Sequence, residues 1–144
     1  MEERENGMTE QAKAARKWPS GVAALTLFVE DLAAIEEFYD RAFGVPQAWK
    51  DDDSVAYNLN GTFVNFLRVQ AAPELVNPAK VAGPEAGTRA QYTIAVDDVD
   101  ATCADLSERG VKLLNGPMDR PWGVRTATFA DPAGHVWEIA NLDS

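Results

Sequence analysis

The residues best placed to do chemistry lie near the end of the chain, where Phe129 to Asn141 reads FADPAGHVWEIAN and carries Glu138 and the single histidine, His135. Small and apolar residues alternate up to Phe129, Asp131-Pro132-Ala133-Gly134 supplies turn chemistry, and Val136-Trp137-Glu138-Ile139 resumes an extended run. This is a β-hairpin with one acid in its second strand. Glu138 lies between Trp137 and Ile139, so it projects to the face away from both. A carboxylate held in a cavity needs a cation, hydrogen-bond donors or a raised pKa. Three arrangements are open: an ion pair with Arg120 or Arg125, a polar floor shared with Gln91, Asn65 or Thr26, or proton transfer with Glu138 as the candidate catalytic group. His135 falls on the face opposite Val136 and Glu138 and reads as structural rather than acid–base. Cys103 shares an apolar helical stripe with Val99 and Leu106, which marks a buried structural thiol.

These groups must be held by a repeated scaffold. Thr26-Leu27-Phe28-Val29-Glu30-Asp31-Leu32 overlays Thr93-Ile94-Ala95-Val96-Asp97-Asp98-Val99, each a strand running into a helix. Asp31 and Asp98 are the expected N-caps, and Gly44 and Gly110 the stops. Three strands are expected after each helix: Gln47 to Lys50, Ser54 to Leu59 and Thr62 to Val69, then Lys112 to Leu114, Val124 to Ala130 and His135 to Asn141. Each half therefore reads βαβββ, an α+β class. The expected organisation is a polar tail over residues 1–18, a first module over 19–70, a linker over 71–89 and a second module over 90–144, all in one domain. A four-stranded sheet with one helix has more apolar face than that helix covers, so the modules must pair, either within a chain or between chains.

Composition narrows the partners. A length of 144 residues suits one domain with a real core, and the formal net charge of −10 disfavours nucleic acid and anionic membrane surfaces. No apolar run approaches the roughly 20 residues of a membrane span, and the opening MEERENGMTEQ reads as a solvated tail, giving a cytoplasmic expectation. One cysteine precludes an internal disulfide and a cysteine-based zinc site.

The stretches LTLFVEDL, FY and FG in the first half, and TIAVDDVDAT, GV and DPAGHVWEI in the second, resemble the vicinal oxygen chelate superfamily of glyoxalase I, bleomycin-resistance proteins, fosfomycin-resistance enzymes and extradiol dioxygenases. The resemblance spans roughly Val22 to Asn141. It implies paired βαβββ modules forming curved sheets around a ligand cavity, usually in a homodimer. Metal-dependent members place one ligand on each of four strands, and those positions correspond here to Ala24, Asn65, Gln91 and Glu138. Alanine cannot coordinate, and two amides with one carboxylate are a weak set for a transition metal. The expectation is therefore no metal and no cofactor.

The aromatic residues indicate what such a cavity would hold. Phe28 shares parity with Thr26, Phe63 shares parity with Asn65, and Trp49, Tyr57 and Trp122 fall on or beside segments that form the cavity rim in similar proteins. Trp137 and Phe66 have the opposite parity and read as core. Arg120 and Trp122 belong to a loop over Pro117 to Gly123, where Arg120 could meet an anionic or carbonyl group. The expected ligand-binding set is Phe28, Trp49, Tyr57, Phe63, Asn65, Gln91, Arg120, Trp122 and Glu138. The expected function is metal-free sequestration of an aromatic natural product or antibiotic, as in the bleomycin-resistance branch. The alternative is a metal-dependent or Glu138-based lyase, isomerase or dioxygenase.

Overall fold

The computed structural model describes residues 21–142, so the expected tail over residues 1–18 lies outside the described residues. Strand β1 (Ala24–Val29) leads into helix α1 (Leu32–Ala42), followed by β2 (Gln47–Lys50), β3 (Ser54–Leu59) and β4 (Thr62–Arg68). The second half repeats this order with β5 (Gln91–Ala95), a helix over Val99–Glu108, β6 (Leu113–Asp119), β7 (Arg125–Ala130) and β8 (Val136–Ala140). Between the halves, 3-10 turns at Val69–Ala71 and Pro84–Ala86 flank a single helical turn, α2 (Pro73–Val76), so the linker is an ordered excursion. The helix over Val99–Glu108 is α3. No helix among the described residues is long and apolar enough to cross a membrane.

The helices begin and end for the expected local reasons. Asp31 and Asp98 are extended residues whose carboxylates accept from the amides of Ala34 at 3.1 Å and Ala101 at 3.0 Å. Past the ends, Gly44 and Gly110 take positive φ of 65° and 82°, which only glycine adopts without strain. The sheets have the orders β1-β4-β3-β2 and β5-β8-β7-β6, with the first pair of each parallel and the rest antiparallel. The register reproduces the repeat, since Thr26 stands beside Asn65 in one sheet and Thr93 beside Glu138 in the other.

One strand and the loop after it are corrected. β6 runs to Asp119, well beyond Leu114, so the loop expected over Pro117 to Gly123 shrinks to a turn closed by Arg120 N donating to Val124 O at 2.7 Å. Pro117 is tolerated because β6 is an edge strand with register shifts around it.

Both sheets turn their helix-bearing faces to one shared core. Ile35, Phe38 and Tyr39 of α1 pack with Val64 and Phe66 of the first sheet and also with Phe129, Trp137 and Ile139 of the second. Tyr39 stacks on Phe66 at 4.3 Å, accepts a hydrogen bond from Trp137 Nε1 at 2.7 Å and donates to Asp131 Oδ2 at 2.6 Å. Asp131 Oδ1 also accepts from the amides of Ala133 and His135, which holds the β7–β8 turn against the first module. The helix ends are tied reciprocally: Arg41 donates to Arg109 O at 2.9 Å and Arg109 to Ala42 O at 3.2 Å, placing cations at two C-termini. The modules thus pair within the chain, back to back, and their other sheet faces point away from the core.

Candidate functional site

Alternation along β8 puts Trp137 and Ile139 in the core and Val136, Glu138 and Ala140 on the open face. Register extends this into a polar row across all four strands, Thr93–Glu138–Thr128–Asn115. Thr93 Oγ1 donates to Glu138 Oε1 at 2.9 Å. Thr128 is 3% exposed, and its Oγ1 has no hydrogen-bond partner, an uncompensated buried hydroxyl between Glu138 and Asn115.

Arg120 reaches the same face from the turn after β6. Its Nε donates to Thr126 Oγ1 at 2.8 Å and its Nη2 to Asn115 Oδ1 at 3.2 Å, fixing the guanidinium with two neutral acceptors. The closeness of β6 to β7 depends on Gly116, where a Cβ would meet Thr126 O at 2.6 Å and Ala127 Cα at 2.7 Å. Trp122, at the tip of this turn, is 70% exposed. Gln91 begins β5 on the open face, level with Val136, and is exposed.

Of the three arrangements open for Glu138, the structure has a hydroxyl partner, Thr93, in place of the amides of Gln91 and Asn65. Arg125 faces the other side of β7, where it binds Asp100 through two nitrogens at 2.9 and 3.0 Å and Asp119 at 3.0 Å. These carboxylates raise the guanidinium pKa and leave Arg125 committed. No carboxylate among the described residues pairs with Arg120.

The first sheet presents a different surface. Its open rows are Ala24–Phe63–Asn58, Thr26–Asn65–Ala56–Trp49 and Phe28–Leu67–Ser54. Phe63 is 43% and Trp49 59% exposed, with Phe28 half-buried beside them. Tyr57 is the correction: it alternates with Ala56, shares the core face with Val55, is fully buried and donates to Asp40 at 2.7 Å. Desolvation in that setting raises its phenol pKa.

The expected site residues therefore form two sets, Phe28, Trp49, Phe63 and Asn65 on one open face and Gln91, Arg120, Trp122 and Glu138 on or beside the other. They do not converge within a chain. A groove of about 890 Å³ does open between the modules, but Leu25, Leu59, Val64, Tyr92, Ile94 and Trp137 wall it on the core side, and Gln91 alone of the expected residues borders it. His135 serves the junction, with Nε2 2.9 Å from Phe28 O. Cys103 is buried, and desolvation raises its thiol pKa, the reverse of nucleophile activation.

The donor set fits a metal poorly. Ala24, Asn65, Gln91 and Glu138 hold one carboxylate, already bonded to Thr93, and no group of three His, Cys, Asp or Glu among the described residues is arranged to hold an ion. The sequence profile of the Glyoxalase/Bleomycin resistance protein/Dioxygenase superfamily matches residues 21–139. The chain belongs to that superfamily. It is 36% identical over 123 residues to the uncharacterized protein YraH of Bacillus subtilis strain 168, covering 82% of this chain and 95% of that one. Among solved structures, a glyoxalase/bleomycin resistance protein/dioxygenase from Nocardioides superposes with a TM-score of 0.77 at 21% identity, over 89% of this chain and 87% of that one. A glyoxalase-related enzyme from Fulvimarina pelagi gives 0.73 at 29% identity, over 85% and 88%.

The residues that sequence reasoning missed are Thr93, Thr126, Thr128 and Asn115. Thr126 and Thr128 share parity across the Asp131–Gly134 turn with Ala140 and Glu138, and counting back through that hairpin would have found them.

Proposed function

We propose that this superfamily member is a metal-independent small-molecule-binding protein that sequesters an aromatic natural product or antibiotic between the open sheet faces of a homodimer. The observation that carries this reading is the pair of outward rings Phe63 and Trp49, beside Phe28 on a sheet face that no other element among the described residues covers. Apolar rings grouped on one such face are surfaces for a partner or a ligand. A second copy that set its second sheet against this one would bring Gln91, Arg120 and Glu138 opposite the rings, giving an apolar cavity with a few polar groups. Tryptophan-fluorescence titration with flavonoids, naphthoquinones and anthracyclines in chelator-treated buffer tests the reading. Saturable binding, weakened about tenfold by Phe63→Ala or Trp49→Ala, is the expected result. Binding unaffected by either substitution, or none across the panel, argues against it.

A second reading has one observation in its favour. Glu138 has a single hydroxyl partner and no cation among the described residues, so it could carry a proton for a lyase, isomerase or dioxygenase. Within one chain the metal-dependent version of that enzyme would have only Gln91 and Glu138 of the four expected positions on this face, since Asn65 stands on the other sheet. Turnover that disappears completely in Glu138→Gln would favour the enzyme over the binding protein.

A further inference from the structure

The open face of the second sheet holds a separated pair of charges and an orphaned hydroxyl. Arg120 is oriented by Thr126 and Asn115, which leaves the N–H groups of Nη1 and one of Nη2 without acceptors from those two residues. Among the described residues, Glu138 takes one side-chain hydrogen bond, from Thr93. Arg120 Nε is anchored at Thr126 on β7 and its Nη2 reaches Asn115 on β6, while Glu138 projects from β8, so the two charges stand one to two strands apart, roughly 5–10 Å at the usual strand spacing. In that row Thr128 on β7 separates Asn115 on β6 from Glu138 on β8. Both charges face one surface without neutralising each other, and Thr128 Oγ1, buried with no partner, stands between them.

We propose that this row binds an amino carboxylate whose charged ends are several bonds apart, with the carboxylate on Arg120, the ammonium on Glu138 and a hydrogen bond from the ligand to Thr128. Guanidinium with carboxylate and ammonium with carboxylate are charge-assisted pairs, stronger than neutral ones and selective for the right end of the ligand. A zwitterion satisfies both without adding net charge to the face. An α-amino acid, with its charges on one carbon, is too short to span the row. This inference rests on the reading that the open faces bind small molecules, and it specifies the polar head of the ligand.

The test is nuclear magnetic resonance titration of the full chain with 4-aminobutanoate and 5-aminopentanoate as probes, against glycine, pentanoate and butylamine. Saturable shifts at the amides of Arg120 and Thr128 are expected, with at least about fivefold tighter binding of the longer zwitterions than of any control. Glu138→Gln should abolish the advantage over pentanoate, and Arg120→Gln the advantage over butylamine. Arg120→Lys, which keeps the charge, and Thr128→Val, which removes the hydroxyl, provide further variants if Arg120→Gln fails to fold. Equal binding of pentanoate, an unchanged preference in Glu138→Gln, or no saturable shift with either zwitterion overturns the proposal. If 1-anilinonaphthalene-8-sulfonate binds at Phe63 and Trp49 while the zwitterions fail, only this inference falls. If both fail, the small-molecule reading falls with it.

Discussion

Thr93 and Glu138 stand level on the parallel strands β5 and β8, joined by a 2.9 Å hydrogen bond, and their counterparts in the other sheet are Thr26 and Asn65. One scaffold thus presents a hydroxyl beside a carboxylate on one open face and a hydroxyl beside an amide on the other. The two halves have diverged in chemistry, polar in the second sheet and ring-rich in the first. Replacing Glu138 by Gln keeps the shape and the acceptor from Thr93, so affinity for an aromatic ligand should change only about threefold, or ~0.6 kcal/mol. Calorimetric titration of both proteins with one ligand checks this.

The link between modules rests on a buried chain of hydrogen bonds. Tyr39 OH accepts from Trp137 and donates to Asp131, all three buried. Tyr39→Phe leaves two buried polar partners short of a bond and should lower stability by about 1–3 kcal/mol, read from urea denaturation. Asp131→Ala should cost more, because the amides of Ala133 and His135 also lose their acceptor.

The same hydroxyl sets an alkaline limit. Desolvation, then the adjacent Asp131, raise the Tyr39 pKa in the folded state. The unfolded chain releases this proton near pH 10 while the folded chain keeps it, so stability is intact below about pH 10 and falls as pH rises further. Tyr39→Phe should show a flatter decline above pH 10 in thermal melts. Tyr57, also raised, contributes in the same direction, so some slope should remain.

Gly116 is the backbone position on which the Arg120 site depends. Its φ is +86°, and an added Cβ would strike the backbone of Thr126 and Ala127. Gly116→Ala should destabilise the chain by about 2 kcal/mol or more, whereas Gly123→Ala, with positive φ but open space, should cost about 1 kcal/mol. Paired denaturation curves separate the two.

Much of the scaffold was legible because its signals are local. Asp31 and Asp98 cap helices through amides three residues away, and the Asp131–Gly134 turn fixes the parity that sends Glu138 outward and Trp137 inward. Tyr57 was readable by the same alternation with Val55, but the resemblance to proteins that use this segment as a cavity rim pointed it outward. The polar row was harder, since Asn115 reaches Thr128 only through register shifts that no propensity encodes. That the modules pair was legible, but whether they do so within the chain and back to back was not. The back-to-back pairing rests on contacts such as Tyr39 with Asp131, 92 residues apart, and it sends the two halves of the expected site to opposite sides of the core.

A monomer with two uncovered faces would leave the proposed cavity unformed. Sedimentation equilibrium should therefore give twice the chain mass, and Phe63→Glu, which puts a charge among the rings, should shift the population toward one chain mass. A wild-type protein that stays monomeric at all concentrations would confine any binding to a single open face.

The central claim, that this chain uses the superfamily scaffold without a metal, is tested most directly by elemental analysis. The protein is purified without chelators, equilibrated with zinc, nickel, manganese and iron(II), and freed of loose ions. With Ala24, Asn65, Gln91 and Glu138 at the four positions that the resemblance assigns to metal ligands, the expected content is far below one ion per chain for every metal. Near-stoichiometric metal that Glu138→Gln removes would contradict the account and assign the open face to metal-dependent chemistry.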